Sequence, residues 1–149
     1  MKTVKMPNIN FHNVDCMEFM ANVPDNYYSL AIVDPPYGID INNQSQGKGG
    51  GVAKKIEYTK KSWDKEIPSP EYFRELYRVS KNQVIWGGNY FTPYLKASPC
   101  WIVWDKVNGS TDFADCELAW TSHNTAVRKL EWKWAGMLQQ NMKQKEERI

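Results

Sequence analysis

An acid, two prolines and a tyrosine follow one another directly after a short apolar segment near the start of the chain. Residues 30–33 are apolar and partly β-branched, which is typical of a buried strand. Pro35 and Pro36 lack backbone donors and have a fixed φ, so the chain should leave the sheet there as a stiff, extended turn. Such a turn presents the Asp34 carboxylate, the Pro35 carbonyl and the Tyr37 ring at the carboxyl end of a strand, where ligands bind in open α/β sheets. Two acceptors beside a flat ring suit a planar group with an amino substituent, such as the amino edge of a nucleobase.

The segment from Asp34 to Tyr37, placed directly after an apolar strand, resembles the catalytic motif of amino-group DNA methyltransferases. Enzymes of that family transfer a methyl group from S-adenosylmethionine to N6 of adenine or to N4 of cytosine. The resemblance implies that the catalytic residues are Asp34, Pro35, Pro36 and Tyr37, and Tyr37 favours adenine. It also implies a double-stranded DNA substrate whose target base is flipped out and stacked on the Tyr37 ring. The competing interpretation is an ordinary Pro-Pro turn in which Tyr37 only packs.

Other segments are similar to the same family, and they are residues 13–16, 75–89, 101–106 and 117–122. The first of them implies that Asp15 and Cys16, together with Asp34, bind the cofactor S-adenosyl-L-methionine. The competing interpretation is that Asp15 only caps a helix and that Cys16 is buried, since Asp is a preferred N-cap residue in any protein.

The order of the motifs resembles the permuted β-class of these enzymes, in which the catalytic half comes first. In that class a Phe-x-Gly-x-Gly segment comes later and holds the methionine part of the cofactor, and this sequence contains no such segment. The resemblance therefore implies an α/β fold over residues 1–149, a partial Rossmann-like methyltransferase fold with a mixed sheet, lacking the C-terminal cofactor-binding half. We expect such a chain to be inactive on its own.

Residues 42–66 are first polar and glycine-rich and then rich in lysine, which indicates a flexible basic loop within the domain. No Gly-Lys-Ser/Thr sequence ends it, so it is not a Walker A loop. As a lid over DNA it would contact phosphates without reading the base sequence, and the alternative is a surface loop without a ligand. The candidate DNA-binding residues are Lys48, Lys54, Lys55, Lys60 and Lys61.

Helix and strand signals alternate along the chain. Asp15 is a candidate N-cap of a short helix, and residues 28–33 are expected to form the central strand. Ser69 and Pro70 are expected to begin a second helix. Its apolar stripe consists of Tyr72, Phe73, Leu76 and Tyr77. Further strands are expected at residues 84–86, 100–104, 117–121 and 125–132.

Composition and charge bear on the partners, the metal and disulfide sites and the location that we expect for the protein. The formal net charge is +2, so the overall charge does not point to a strongly polyanionic partner. Three widely spaced cysteines without a CxxC pair argue against a disulfide framework and against a zinc site, and no metal is expected. The sequence contains neither a signal-peptide pattern nor a membrane-spanning apolar run, so we expect a cytoplasmic protein without a membrane partner.

The function implied by the resemblance is that of a site-specific DNA adenine-N6 methyltransferase, of which this chain is the catalytic half. Two alternatives stay open: an N4-cytosine DNA methyltransferase, and a non-catalytic nucleic-acid-binding remnant of such an enzyme. Exposed apolar edges of an open half-sheet would favour association into a homodimer.

Overall fold

A computed structural model describes residues 9–40, 64–109, 114–135 and 138–141 of the chain. Two helices and five strands form its main body, and a two-stranded ribbon follows. The helices are α1 (Cys16–Ala21) and α2 (Pro70–Val79). The strands are β1 (Ala31–Val33), β2 (Gln83–Trp86), β3 (Trp101–Asp105), β4 (Cys116–Thr121), β5 (Arg128–Glu131), β6 (Trp134–Ala135) and β7 (Leu138–Gln139).

The main sheet is mixed, with the strand order β1-β2-β4-β3-β5. β1 runs parallel to β2, and β5 runs parallel to β3. β4 lies between β2 and β3 and is antiparallel to both. The carboxyl ends of β1, β2, β3 and β5 therefore meet at one edge of the sheet, which we call the carboxyl edge. The expected mixed α/β sheet is confirmed at this level.

The strand before the proline turn differs from the prediction. It covers only Ala31–Val33, where residues 28–33 were expected, and Tyr28 makes an isolated bridge to Ser80. It also lies at the end of the described sheet and not at its centre. Ile32 is 64% exposed, so the expected burial of this segment is wrong on that face. An apolar sequence run cannot reveal how many neighbours its strand has, because burial depends on partners distant in sequence.

The core lies between α2 and one face of the sheet. α2 begins at Pro70 after the N-cap Ser69, as predicted. Its apolar stripe packs Phe73 and Leu76 against Ile85 of β2 and Trp120 of β4, which are all almost completely buried. Alternation along the strands then sends neighbouring side chains to the opposite face. There Trp86 and Trp104 meet edge to face, with ring centroids 6.2 Å apart.

Arg78, in the last turn of α2, joins the two helices. Its guanidinium donates to the carbonyl oxygens of Met20 and Val23 at 2.7 Å each. Met20 lies in the last turn of α1 and Val23 lies just beyond it, so Arg78 adds donors from α2 to carbonyl groups at the C-terminal end of α1. Hydrogen bonds from Arg78 to Glu75 and Asp25 also raise the pKa of the guanidinium above its usual range, so it stays charged.

No helix in the part of the chain that the structure describes is long and apolar enough to cross a membrane. The expected loop at residues 42–66 lies outside the described residues up to position 63. The same holds for all five candidate DNA-binding lysines, Lys48, Lys54, Lys55, Lys60 and Lys61.

Replacing Arg78 with alanine should lower the free energy of unfolding, because the hydrogen bonds that tie the end of α1 to α2 are lost. Arg74→Ala is the matched control, since its ion pair with Glu71 is exposed on both sides and such pairs contribute little. The loss for Arg78→Ala should be roughly three times that for Arg74→Ala, or more. Urea denaturation followed by circular dichroism measures both values. Equal losses would contradict the joining role of Arg78.

Candidate functional site

The Asp34-Pro35-Pro36-Tyr37 segment lies where the sequence places it, directly after β1 at the carboxyl edge. Val33 pairs with Ile85, so Asp34 is level with Trp86, the last residue of β2. Pro35 is buried, whereas Asp34 is exposed. The turn is therefore buried at Pro35, whereas the Asp34 carboxylate is open to solvent at the end of two parallel strands.

The Tyr37 hydroxyl donates a hydrogen bond of 2.5 Å to Oδ1 of Asp34. Burial raises the pKa of Tyr37 well above its usual range, and the hydrogen bond to Asp34 and the charge of that carboxylate raise it further. The phenol is therefore a protonated donor at every physiological pH, and it holds one oxygen of Asp34 in place. The second oxygen, Oδ2, accepts no hydrogen bond from any described residue and is available to a ligand.

The Tyr37 ring has neighbours on more than one side. It stacks on Tyr90 with ring centroids 4.8 Å apart and an angle of 10° between the planes. It also lies so close to Gly87 that a Cβ at that position would approach Cδ1 and Cζ of the ring to 2.7 Å. Tyr90 is 43% exposed, so the accessible aromatic surface of this stack belongs largely to Tyr90. The sequence singles out Tyr37 as the stacking ring and misses Tyr90, which directly follows Gly87-Gly88-Asn89.

Asp64 fixes the turn from a distant part of the chain. Its Oδ1 accepts hydrogen bonds from the backbone amides of Tyr37 at 2.8 Å and Gly38 at 3.1 Å. A third hydrogen bond joins the Asp40 amide to the Asp64 carbonyl at 2.8 Å. Asp64 is only 4% exposed, so these bonds are largely shielded from water. In the sequence Asp64 falls within the expected basic loop at residues 42–66, where no local pattern indicates its role.

Asp15 and Cys16 lie at the start of α1. Oδ1 of Asp15 accepts hydrogen bonds from the amides of Met17 at 2.8 Å and Glu18 at 3.3 Å, so the carboxylate is an N-cap. Cys16 is exposed, which differs from the buried cysteine of the competing interpretation. Among the described residues, no hydrogen bond or ion pair joins Asp15 or Cys16 to Asp34. The structure therefore shows the capping role of Asp15 and leaves its proposed cofactor role as a prediction.

The described residues do not fit a complete site for S-adenosylmethionine. A glycine cradle for a ligand needs open space where a Cβ would stand. At Gly38, Gly87 and Gly88 that space is already filled by side chains or backbone of Ile67, Tyr37 and Trp120. Gly109 has open space around it but lies beyond the end of β3.

The carboxyl edge continues past Asp34 as an aromatic and charged surface. Lys106 forms an ion pair with Glu117, and its ammonium lies 5.5 Å from the centre of the Trp104 ring. Trp104 donates from Nε1 to the Trp132 carbonyl at 2.9 Å, which fixes the indole. The charges cancel locally, so this surface offers aromatic contact more than electrostatic attraction.

Comparison with models of known protein families and with curated proteins finds no match to this chain. A function for this site can therefore be argued only from its own side chains. Within the described ranges no cluster of three histidine, cysteine, aspartate or glutamate residues is arranged to hold a metal ion.

Gly87→Ala should destabilise the protein more than Gly109→Ala. Both glycines have φ +67°, so both variants bear the same left-handed strain of about 1–2 kcal/mol. Only at Gly87 would the new methyl group overlap the Tyr37 ring, which should add about 1–3 kcal/mol. Urea denaturation gives the two free energies of unfolding. If both variants lose the same amount, Tyr37 is not packed on Gly87 in solution.

Proposed function

We propose that the chain forms the target-base side of an S-adenosylmethionine-dependent DNA adenine-N6 methyltransferase. The observation that carries the proposal is the exposed Asp34 carboxylate, fixed at the carboxyl end of β1 by Tyr37 and by the turn that Asp64 holds. Four parallel strands with one antiparallel strand support a partial Rossmann-like methyltransferase fold for the sheet. The sequence lacks the Phe-x-Gly-x-Gly segment, and the space at the described glycines Gly38, Gly87 and Gly88 is filled, so the proposal concerns the target-base side alone.

Asp34 would act by holding the target amine. The lone pair of an adenine amino group is delocalised into the ring, so the nitrogen is a poor nucleophile until it is held out of plane. Oδ2 of Asp34 and the Pro35 carbonyl accept no hydrogen bond from described residues, and together they can accept both N–H bonds. The proton becomes acidic only after positive charge develops on nitrogen, so Asp34 positions the amine and stabilises charge more than it abstracts a proton beforehand.

A base inside a duplex is out of reach of this carboxylate, so it has to be flipped out at a cost of a few kcal/mol. Stacking on an aromatic ring stabilises a bound base by about 1–3 kcal/mol. In the complex that we propose, the base takes the place of Tyr90 beside Tyr37, which brings its amino edge to Asp34. Tyr90 sits on a short 3₁₀ turn and is partly exposed, so it can leave the stack without opening the core.

S-adenosylmethionine would supply the methyl group, although the described residues do not enclose it. Asp15 and Cys16 remain proposed contributors to its site, and Lys48, Lys54, Lys55, Lys60 and Lys61 remain proposed phosphate contacts. The incomplete cofactor site favours one second candidate, a non-catalytic nucleic-acid-binding module. An N4-cytosine enzyme is the other alternative, because cytosine presents an amino group of the same kind.

Base substitution separates these candidates. An oligothymidine strand with one adenine should bind roughly tenfold more tightly than the same strand with hypoxanthine, because hypoxanthine replaces the amino donor with a carbonyl. Asp34→Ala should remove this preference and leave the remaining affinity, which comes from phosphate contacts. Fluorescence anisotropy measures each dissociation constant. Glu18→Ala, which removes an exposed acid on α1, is the control and should keep the preference.

The outcomes discriminate among the three functions. A preference for cytosine over uracil, in place of adenine over hypoxanthine, would favour the N4-cytosine enzyme. Binding without any base preference would favour the non-catalytic module. A preference that survives in Asp34→Ala would exclude Asp34 as the holder of the amine.

Tyr37→Phe should weaken the preference for adenine several-fold, because Asp34 loses the hydrogen bond that orients it. Affinity for strands without an amino base should stay unchanged, since the ring and its stack remain. Tyr27→Phe is the matched control, because Tyr27 is 66% exposed and its hydroxyl has no partner among the described residues. Full retention of the preference in Tyr37→Phe would show that only the ring of Tyr37 contributes.

A further inference from the structure

A second concave region lies at the opposite edge of the sheet from Asp34. It is a cavity of about 300 Å³ beside the start of β2 and the end of β4. The polar and aromatic residues that line it include Asn26, Tyr77, Lys81, Lys96, Trp120 and Ser122. Since β2 spans four residues, the cavity is separated from the carboxyl edge by roughly 13 Å of strand. The proposed base site and this cavity therefore do not share residues.

The cavity is electropositive. Lys81 and Lys96 both line it, and neither forms an ion pair with a described residue. The described residues that line it include no carboxylate. The nearby Asp25 is already paired with Arg78 at 2.9 Å, so it does not neutralise the lysines. Two uncompensated ammonium groups at a concave surface attract an anion.

The hydroxyl group of one residue that lines the cavity, Tyr77, lacks a partner. The Tyr77 hydroxyl is buried and makes no hydrogen bond, although buried polar groups rarely stay unsatisfied. Burial raises the pKa of Tyr77, and the backbone of Lys96 partly offsets this at a geometry that falls short of a hydrogen bond. The phenol is therefore protonated and can donate. The Lys96 ammonium lies 4.5 Å from the centre of the same ring, so cation and donor are adjacent.

The donors of this cavity match a tetrahedral dianion. Ser122 accepts from the Gln83 amide through its hydroxyl oxygen, and its own proton has no acceptor among described residues. Asn26 likewise has a side-chain amide without a described partner. Two cations with three neutral donors exceed what the two oxygens of a carboxylate can accept. A phosphate group offers three or more acceptor oxygens and close to two negative charges.

We propose that this cavity binds the phosphate group of a small phosphate monoester, with Lys81 and Lys96 as its cationic ligands and the Tyr77 hydroxyl as a neutral donor. Its volume is at the lower end of the range for small-molecule sites, which suits a phosphorylated sugar or a molecule of similar size. The proposal does not depend on methyl transfer.

Isothermal titration calorimetry of the full 149-residue chain tests it with three probes: ribose 5-phosphate, inorganic phosphate and ribose. Both phosphates should bind and ribose should not. The double variant Lys81→Met/Lys96→Met should lose at least about tenfold in affinity for ribose 5-phosphate, since charge-assisted hydrogen bonds are lost. Tighter binding of the ester than of phosphate identifies an esterified ligand, and equal binding identifies free phosphate.

Tyr77→Phe separates ligand binding from packing. It should lower the affinity several-fold while the free energy of unfolding stays the same or rises, because an unsatisfied buried hydroxyl is removed. Lys133→Met, at an exposed lysine outside the cavity, and Asp34→Ala should both bind ribose 5-phosphate like the unchanged chain. Equal affinity in the double lysine variant, equal loss in Lys133→Met, or no binding of either phosphate at millimolar concentration would overturn the proposal.

Discussion

The candidate site depends on one buried carboxylate. Asp64 accepts from two successive amides of the proline turn, and these amides have no strand partner because β1 has already ended. A carboxylate with two amide donors in a shielded position gives strong, directional bonds. Once Tyr37 and Gly38 are held in this way, the Tyr37 hydroxyl reaches Asp34 and the ring reaches Tyr90. Asp64, which is almost completely buried, therefore fixes the position of the exposed Asp34 carboxylate.

Local sequence patterns predicted most of the helices and strands, but not which strands would be neighbours in the sheet. The N-cap at Asp15, the helix start at Pro70 and the strands around Ile85 and Trp120 all follow from signals within a few residues. The edge position of β1 could not be read in this way, because it depends on a pairing partner about fifty residues away. The exposed face of Ile32 is the direct result.

The same distinction applies to the site. The motif itself was recognisable because its chemistry is contiguous in sequence. Asp64 and Tyr90 were not, since Asp64 is 26 and 27 residues from the amides it binds and Tyr90 follows a different strand. A glycine-rich stretch separates Asp64 from the motif and draws attention to flexibility, whereas the structure gives its far end a fixed hydrogen-bonding role. Only the fold brings these three segments together.

The short length of α1 has a consequence for the order in which the chain folds. A helix of six residues is too short to persist alone in water, because nucleation costs more than so few bonds return. Asp15 caps its start, and the amides of Asn22 and Val23 bond carbonyl groups near its end, but the contacts from Arg78 that tie it to α2 become available only after α2 has formed. α1 therefore condenses late and opens early, and its amide protons should exchange with solvent faster than those of β2 and β4. A ligand that bound at Asp15 and Cys16 would therefore also stabilise this short helix, at a cost in affinity for ordering it.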